Sequence, residues 1–501
     1  MRMKILLVNL PWIKNGIWGV RAGSRWPHIK DPYTEGNYLP YPFFLGYAAS
    51  LLKREGFEVK LLDCIAESIE AEEFLSLLQE YSPDLILAEI STVSLKNDLE
   101  ILRCIKDTPV AVAGPDISIQ ESGFFQDNPF ISYALIGEYE YTLLELSQCL
   151  EKNELPRRVK GLIYRDKSGI RKNPPRPLIK DLDELPWPLR EGLPMDKYID
   201  APGGMPLPCA QIWSSRGCPF RCAFCLWPQV MYGGTRFRYR NPVNVVDEIE
   251  YLITKRNFRS IYIDDDTTNV GKRRMIQLAE EIIRRRLKFP WAIMARPDLM
   301  DEEVLLKLKE AGLFAVKYGV ESAEQELLNR VNKRMNLERA IQMIRYTKTL
   351  GIKTHLTFTF GLPGETEDTI ERTIELAISL DPDSVQFSIM TPFPGTELYH
   401  WYKDRNLIVS EDFSEYDGNY KAVIKGENLS SFQLENARKR AYRLWREHRN
   451  RRREAHFFIQ GRHFLLLKEY LKRYGPKYTL LKGVRFLRYL RRRYSESIQF
   501  R

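Results

Sequence analysis

No apolar run in this sequence approaches the roughly eighteen residues needed to span a bilayer, which sets aside an integral helical membrane protein. Its opening, MRMKILLVNLPW, lacks the small-residue cleavage site of a secretory signal and is expected to form a first strand in a cytoplasmic protein. Cysteine is scarce, 7 in 501 residues, too few for a disulfide framework. Cys218, Cys222 and Cys225 nevertheless crowd into one short stretch, which marks metal or redox chemistry in a reducing compartment. No short internal repeat is evident. No RNA-binding motif accompanies the basic residues, so nucleic acid is not expected as a partner.

What is present describes a globular chain of more than one domain. A hydrophobic content of 44% and an aromatic content of 12% exclude a disordered protein, and the length calls for two or three domains. The net charge of +10 is unevenly held. From Ser430 to Arg501 there are 21 Lys and Arg against 5 Asp and Glu, 21 − 5 = +16, which leaves 10 − 16 = −6 elsewhere. Anionic partners are therefore expected at that end alone.

Residues 1–151 alternate strand-like runs (Lys4–Leu10, Glu58–Asp63, Leu85–Ile90, Val110–Ala113, Tyr133–Ile136) with amphipathic helical stretches. This predicts an α/β domain with a doubly wound, Rossmann-like parallel sheet and ligands at the carboxyl ends of its strands. Residues 152–205 are expected to be a linker, a small strand-like piece at Gly161–Arg165 followed by a stiff proline-rich stretch. From 206 to 410 a second alternation runs through Ala210–Ser214, Ser260–Asp264, Trp291–Ala295, Phe314–Tyr318, Thr354–Phe360 and Ser384–Ile389. Such strand–helix units predict a partial (β/α)6 barrel with its chemistry at the carboxyl strand ends. Residues 411–501 turn helical and basic.

The sequence RGCPFRCAFC sets three thiolates as C-x3-C-x2-C directly after a predicted strand. Three cysteines on one loop can ligate three irons of a cubane cluster and leave the fourth iron open. The alternative is a structural zinc site in a non-catalytic protein, with Cys209 as fourth ligand. Cys64, Cys104 and Cys149 are expected to be inert core residues.

At these residues the segment from about Pro206 to Ile408 resembles the radical S-adenosylmethionine superfamily, whose defining motif is this cysteine spacing. The resemblance implies a [4Fe–4S] cluster on Cys218, Cys222 and Cys225 that cleaves S-adenosylmethionine to a 5′-deoxyadenosyl radical. Asp264, Asp265 and Asp266 take the place where the family binds the methionine amino group. Glu321 and Ser322, in Gly319-Val320-Glu321-Ser322, match the ribose and carboxylate contacts, and Gly361 to Glu365 lie where the adenine is met. Arg296 is a candidate bidentate donor to the methionine carboxylate, with an ordinary salt bridge as its alternative. Each of these has a plain structural reading too, since a carboxylate after a strand is often a helix cap.

Residues 1–151 resemble the cobalamin-binding domain that precedes the barrel in one subgroup. Small or polar residues at strand ends (Ser91, Thr92, Gly114, Gly137, Glu138) would let a corrin approach the backbone. The D-x-H-x-x-G signature is absent, because the only histidine of this region is His28, between Trp26 and Asp31. Cobalamin is therefore expected without a protein histidine on cobalt, or else the domain keeps the fold alone. Cys225-Leu226-Trp227-Pro228-Gln229, Tyr232-Gly233-Gly234 and Gly23–Pro27 are most similar to hopanoid-associated enzymes, and the anaerobic cyclases of chlorophyll synthesis share the architecture. The resemblance implies methyl transfer or radical rearrangement on a small-molecule or lipid substrate, with an electron donor such as flavodoxin or ferredoxin. In the tail, Leu480, Val484 and Leu487 fall at helical spacing among arginines, a pattern that suits either peripheral docking at the inner membrane face or packing on the barrel.

Overall fold

The computed structural model describes residues 2–21, 28–29, 38–120, 122–456, 471 and 475–476. Gly23–Pro27, Asp31 and the whole of Tyr478–Tyr494 lie outside the described residues, and of His28 only the backbone is described.

Apolar, β-branched runs become the parallel strands of a first sheet: β1 (Lys4–Asn9), β2 (Glu58–Asp63), β3 (Leu85–Glu89), β4 (Val110–Ala113) and β5 (Ile131–Leu135). Two further strands, β6 (Leu162–Asp166) and β7 (Gly169–Lys172), are added antiparallel, giving the order β7-β6-β5-β4-β3-β1-β2. That hairpin comes from the segment expected to be a linker. It closes the exposed edge of β5, which would otherwise offer unpaired backbone groups. The chain steps from β1 to β2 on one side and then to β3 on the other. The order switches there, where open α/β sheets hold ligands beyond their carboxyl ends.

The second sheet runs β8 (Cys209–Ile212), β9 (Ser260–Ile263), β10 (Trp291–Ala295), β11 (Leu313–Glu321), β12 (Lys353–Phe360) and β13 (Ser384–Ile389), all parallel and in sequence order. Helices Pro242–Thr254, Lys272–Arg284, Glu302–Glu310, Leu337–Thr349 and Glu367–Leu380 return the chain between strands, as a parallel sheet requires. Their starts carry the expected caps: Asn241, Asp301 and Asn336 accept first-turn N–H groups, and Thr366 forms a capping box with Thr369. β11 outruns its predicted end at Tyr318, continuing to Glu321 through a register shift between Gly319 and Glu321.

Met1–Tyr442 form one compact unit and Arg443–Arg501 a second. The first holds both sheets and much of what was expected to belong to a basic terminal region, including buried Val423 and Ile424. The second opens partway along the helix Ser431–His456. Among the described residues no helix is long and apolar enough to cross a membrane.

Candidate active site

β8 ends in a loop that Asp265 holds in place. Its carboxylate accepts from the backbone N–H groups of Ser214 (2.7 Å) and Ser215 (3.0 Å) and from both of their hydroxyls (2.5 and 2.6 Å). Arg274 lies 3.6 Å away. Asp265 is thus a brace, fully buried beneath the loop, and not an open ligand. Asp266 accepts the N–H of Gly217 at 2.9 Å. Gly217 has φ +81° and a Cβ there would stand 1.7 Å from the Arg236 carbonyl oxygen, so only glycine makes this turn. Cys218 follows, its Sγ 3.3 Å from the Thr267 hydroxyl.

The cysteine loop is cinched by Gln229. Its amide donates to the carbonyls of Cys222 (3.1 Å), Ala223 (3.1 Å) and Cys225 (2.9 Å) and accepts from Glu397 N–H at 2.9 Å. The Ala223 N–H donates to the Val331 carbonyl at 2.8 Å. All three cysteines are half-buried. Burial pushes the Cys218 thiol up to about 11, and Cys222 upward as well although Lys333 and Arg296 pull against it; a metal must displace these protons on binding. Among the described residues no three His, Cys, Asp or Glu side chains are gathered closely enough to hold one metal ion. Cys209 does not join the loop: it is buried among Met205, Tyr262, Ala292 and Ala315 at the start of β8. The zinc alternative loses its fourth ligand. Cys104 corrects another expectation, being exposed at a helix end, while Cys149 is only half-buried.

Arg296 reaches this loop by a different route than expected. Its guanidinium lies 3.8 Å from the Phe220 ring centre, between Cys218 and Cys222, and its fork closes on Asp298 at 2.9 and 3.0 Å. A further N–H donates to the Lys333 carbonyl at 2.9 Å. Lys333 in turn donates to Glu321 at 3.0 Å, and Thr359 donates to the other Glu321 oxygen at 3.1 Å. Glu321 holds φ +72° at the register shift of β11, a strained conformation for a residue with a side chain. Asp264 is buried at the end of β9. Ser322 is buried too, and its hydroxyl accepts the Glu324 N–H at 3.2 Å.

Gly361 and Glu365 brace their own loop. The Glu365 carboxylate accepts the Gly361 N–H, and its other oxygen, Oε1, is enclosed without a hydrogen-bond partner among the described residues. Burial pushes this carboxyl up to about 8.

At the first sheet, Ser91, Gly114 and Gly137 follow β3, β4 and β5 and so share its carboxyl edge. Thr92 donates to Asp116 at 2.9 Å. A Cβ on Gly114 (φ +118°) would stand 2.4 Å from the Ile90 carbonyl oxygen, so backbone packing alone demands this glycine. Glu138 accepts from Arg216 (3.2 Å), Arg238 (2.7 Å) and the Ile179 N–H (3.0 Å). Arg216, two residues before Cys218, also pairs with Glu140 at 2.6 Å and lies over the rings of Phe44, Tyr47 and Trp213. Sequence reasoning missed this buried network, Gln229 and Thr267. The only trace of the network was a charged residue beside each strand-end motif.

Residues 214–377 match the family model of the radical SAM superfamily. An uncharacterized methyltransferase of Pyrococcus horikoshii is 30% identical over 444 residues, 88% of this chain and 92% of the relative. The anaerobic magnesium-protoporphyrin IX monomethyl ester cyclase of Cereibacter sphaeroides is 28% identical over 77% of this chain and 65% of its own length. Among solved structures, the radical S-adenosylmethionine methyltransferase TsrM from Kitasatospora setae, with cobalamin and a [4Fe-4S] cluster bound, aligns with a TM-score of 0.65 at 22% identity over 81% of this chain and 78% of its own. With a Rossmann-like sheet, an open six-stranded barrel and the cysteine loop on its first strand, this chain belongs to the radical S-adenosylmethionine superfamily, as an enzyme with the fold of its cobalamin-dependent members.

Proposed function

We propose that Cys218, Cys222 and Cys225 hold a [4Fe–4S] cluster, that S-adenosylmethionine binds beside it, and that cobalamin occupies the carboxyl edge of the first sheet, for methyl transfer or radical cyclisation at an unactivated carbon. The observation that carries this reading is the cysteine loop itself, leaving the first barrel strand with its carbonyls tied back by Gln229. The donor set suits a cubane: three thiols on one loop can each meet a separate iron. When bound, the cluster supplies the electron that opens S-adenosylmethionine, and cobalamin supplies a methyl group.

The chain's own part is to position and to enclose. Asp265 fixes the backbone that enters the loop, Arg296 covers Phe220, and Lys333 carries Glu321 to the loop's flank. Asp264, Asp266, Glu321 and Ser322 are the groups we assign to the cosubstrate. Ser91, Thr92, Gly114 and Gly137 are those we assign to the corrin, and no D-x-H-x-x-G signature supplies a histidine for cobalt. The substrate we infer is a lipid or other small molecule of isoprenoid or hopanoid type, which Cys225–Gln229 supports by resemblance. The basic terminus, with its excess of 16 positive charges, supports peripheral contact with anionic membrane, checked by vesicle co-sedimentation at low and high salt.

Iron and sulfide content, with 5′-deoxyadenosine formation under anaerobic reducing conditions, tests the cluster. Zinc in its place, without 5′-deoxyadenosine, overturns it. Hydroxocobalamin added anaerobically should give a stoichiometric complex whose paramagnetic resonance lacks coupling to an axial imidazole nitrogen.

A further inference from the structure

The inner face of the barrel carries a polar group that neither the cluster nor the cosubstrate uses. Along β11, Val316, Tyr318 and Val320 are buried on one side, and the Tyr318 hydroxyl meets Thr347 of an outer helix at 2.9 Å. Lys317, Gly319 and Glu321 alternate to the opposite, inner side. On β12 the same alternation sends Leu356, Phe358 and Phe360 outward and His355, Thr357 and Thr359 inward. The register sets Lys317 beside His355, and His355 beside Ser384 of β13.

Of these three side chains, His355 leaves hydrogen-bonding capacity open. His355 Nδ1 lies 2.8 Å from the Ser384 hydroxyl, while its Nε2 is enclosed and has no partner among the described residues. Burial, with the charge of Lys317 beside it, holds the ring's pKa down at about 3, so the imidazole is neutral. In the tautomer that takes the Ser384 proton at Nδ1, Nε2 carries the ring N–H. The Lys317 ammonium is 3.7 Å from Asp200, an ion pair beyond hydrogen-bond reach, and 6.0 Å from the ring centres of Tyr38 and Tyr262. An enclosed ring nitrogen without a partner is unfavourable unless something else meets it. Farther along the same face, Thr359 and Glu321 lead to Lys333 and the cysteine loop.

We infer that Lys317 and His355 form a substrate-anchoring site on the barrel's inner face that takes an sp2 oxygen acceptor, a carboxylate or ester carbonyl, and so holds one end of the substrate below the cluster loop. This rests on the reading of the barrel as the reaction chamber. An oxygen between the two donors would accept from the ammonium and from Nε2–H together. Asp200, already opposite Lys317, disfavours a cationic group in the same place.

The test is calorimetric titration of the full chain, as isolated and after anaerobic loading with iron and sulfide, with octanoate, methyl octanoate and octylamine. Octanoate is expected to bind the wild type and to weaken by about ten-fold or more in Lys317→Met and in His355→Phe, the size of a lost buried hydrogen bond to a charged group. Lys317→Arg should stay within about three-fold of the wild type on the same scale. Octylamine should not bind. Methyl octanoate binding as well as octanoate assigns the site to a carbonyl, and weaker binding assigns it to a carboxylate. If Lys317→Met loses its cooperative melt, His355→Phe carries the test. Octanoate affinity unchanged in the folded variants, or matched by octylamine, overturns the inference. The titration needs no turnover, so a wild type that binds octanoate through Lys317 yet makes no 5′-deoxyadenosine would fail the proposed function and leave this site standing.

Discussion

Gly217 and Gly114 each open a loop at the carboxyl end of a parallel sheet, and each is demanded by a backbone oxygen that a Cβ would strike, at 1.7 and 2.4 Å respectively. The two loops then differ in what holds them. At the barrel, a buried carboxylate, Asp265, gathers two backbone and two hydroxyl donors and fixes the entrance to the cysteine loop. At the first sheet, the buried carboxylate Asp116 meets only Thr92 and Gln120, at 2.9 and 2.8 Å, and burial raises its pKa. The barrel edge is built to keep a charged, rigid loop. The first edge is built from close backbone approach, with its strongest charges, Glu138 and Glu140, turned toward Arg216.

The largest separation between the two edges is expected from Cys222→Ala. With a ligand gone that no neighbour supplies, iron should fall from about four per chain to near background, and 5′-deoxyadenosine should vanish. Thr92→Ala at the other edge should leave iron content untouched. Iron retained at the wild-type level in Cys222→Ala would mean that the loop is not the ligand set.

Next in size is the pair of carboxylates. Asp265→Ala strips acceptors from several buried donors beside Arg274 and should destabilise the chain by about 3 kcal/mol or more. Asp116→Ala, with neutral partners only, should cost about 1–2 kcal/mol. Denaturant unfolding of both variants measures the difference. Equal losses would erase the contrast between a carboxyl group beside an arginine and one with neutral partners.

The cysteine spacing and the alternation of strands are open to sequence reasoning because each depends on local pattern. Asp265 looks like a ligand in the sequence because its neighbours Asp264 and Asp266 share its type; only the fold shows that Ser214 and Ser215, some fifty residues earlier, use up its oxygens. Arg296 does pair with a carboxylate, as its chemistry suggests, but the partner is Asp298, two residues on. Glu138 stands at a strand end, whereas its direction is set by Arg238, a hundred residues away. Gly161–Arg165 looks strand-like in the sequence, and Leu162–Asp166 is a strand, but only the fold shows that its partner is β5. Long-range pairing, not local propensity, decides each of these.

Glu365 gives an effect that depends on pH. Its carboxyl ionises near 4.5 when unfolded and at about 8 in the fold. Between these values the unfolded state is ionised and the folded state protonated, so the group lowers stability as pH rises, and adds nothing further above about 8. Glu365→Gln keeps an acceptor for the Gly361 N–H without titrating. The variant's stability relative to wild type should therefore climb by about 1 kcal/mol per pH unit from pH 5 to 8 and then level off. A flat difference over that range would show the carboxyl to be ionised in the fold.

The smallest expected effect falls on Gln229, and it tests whether the barrel edge owes its rigidity to hydrogen bonds from outside the motif. The amide donates to three carbonyls of the cysteine loop and accepts from Glu397 N–H. It is only half-buried, so water can replace part of what it gives. Gln229→Ala should lower stability by no more than about 1 kcal/mol. Its larger consequence is kinetic, because carbonyls released from the amide let the loop open and expose its thiolates. Iron should leave the variant for a chelator several-fold faster than it leaves the wild type, while total iron after loading stays the same. Gln229→Glu sharpens the point: a carboxylate cannot donate to carbonyls and would repel them, so it should release iron faster than the alanine variant. If Gln229→Ala and the wild type release iron at the same rate, the loop is held by its backbone bonds to Val331 and Leu398, and the side chain only fills space.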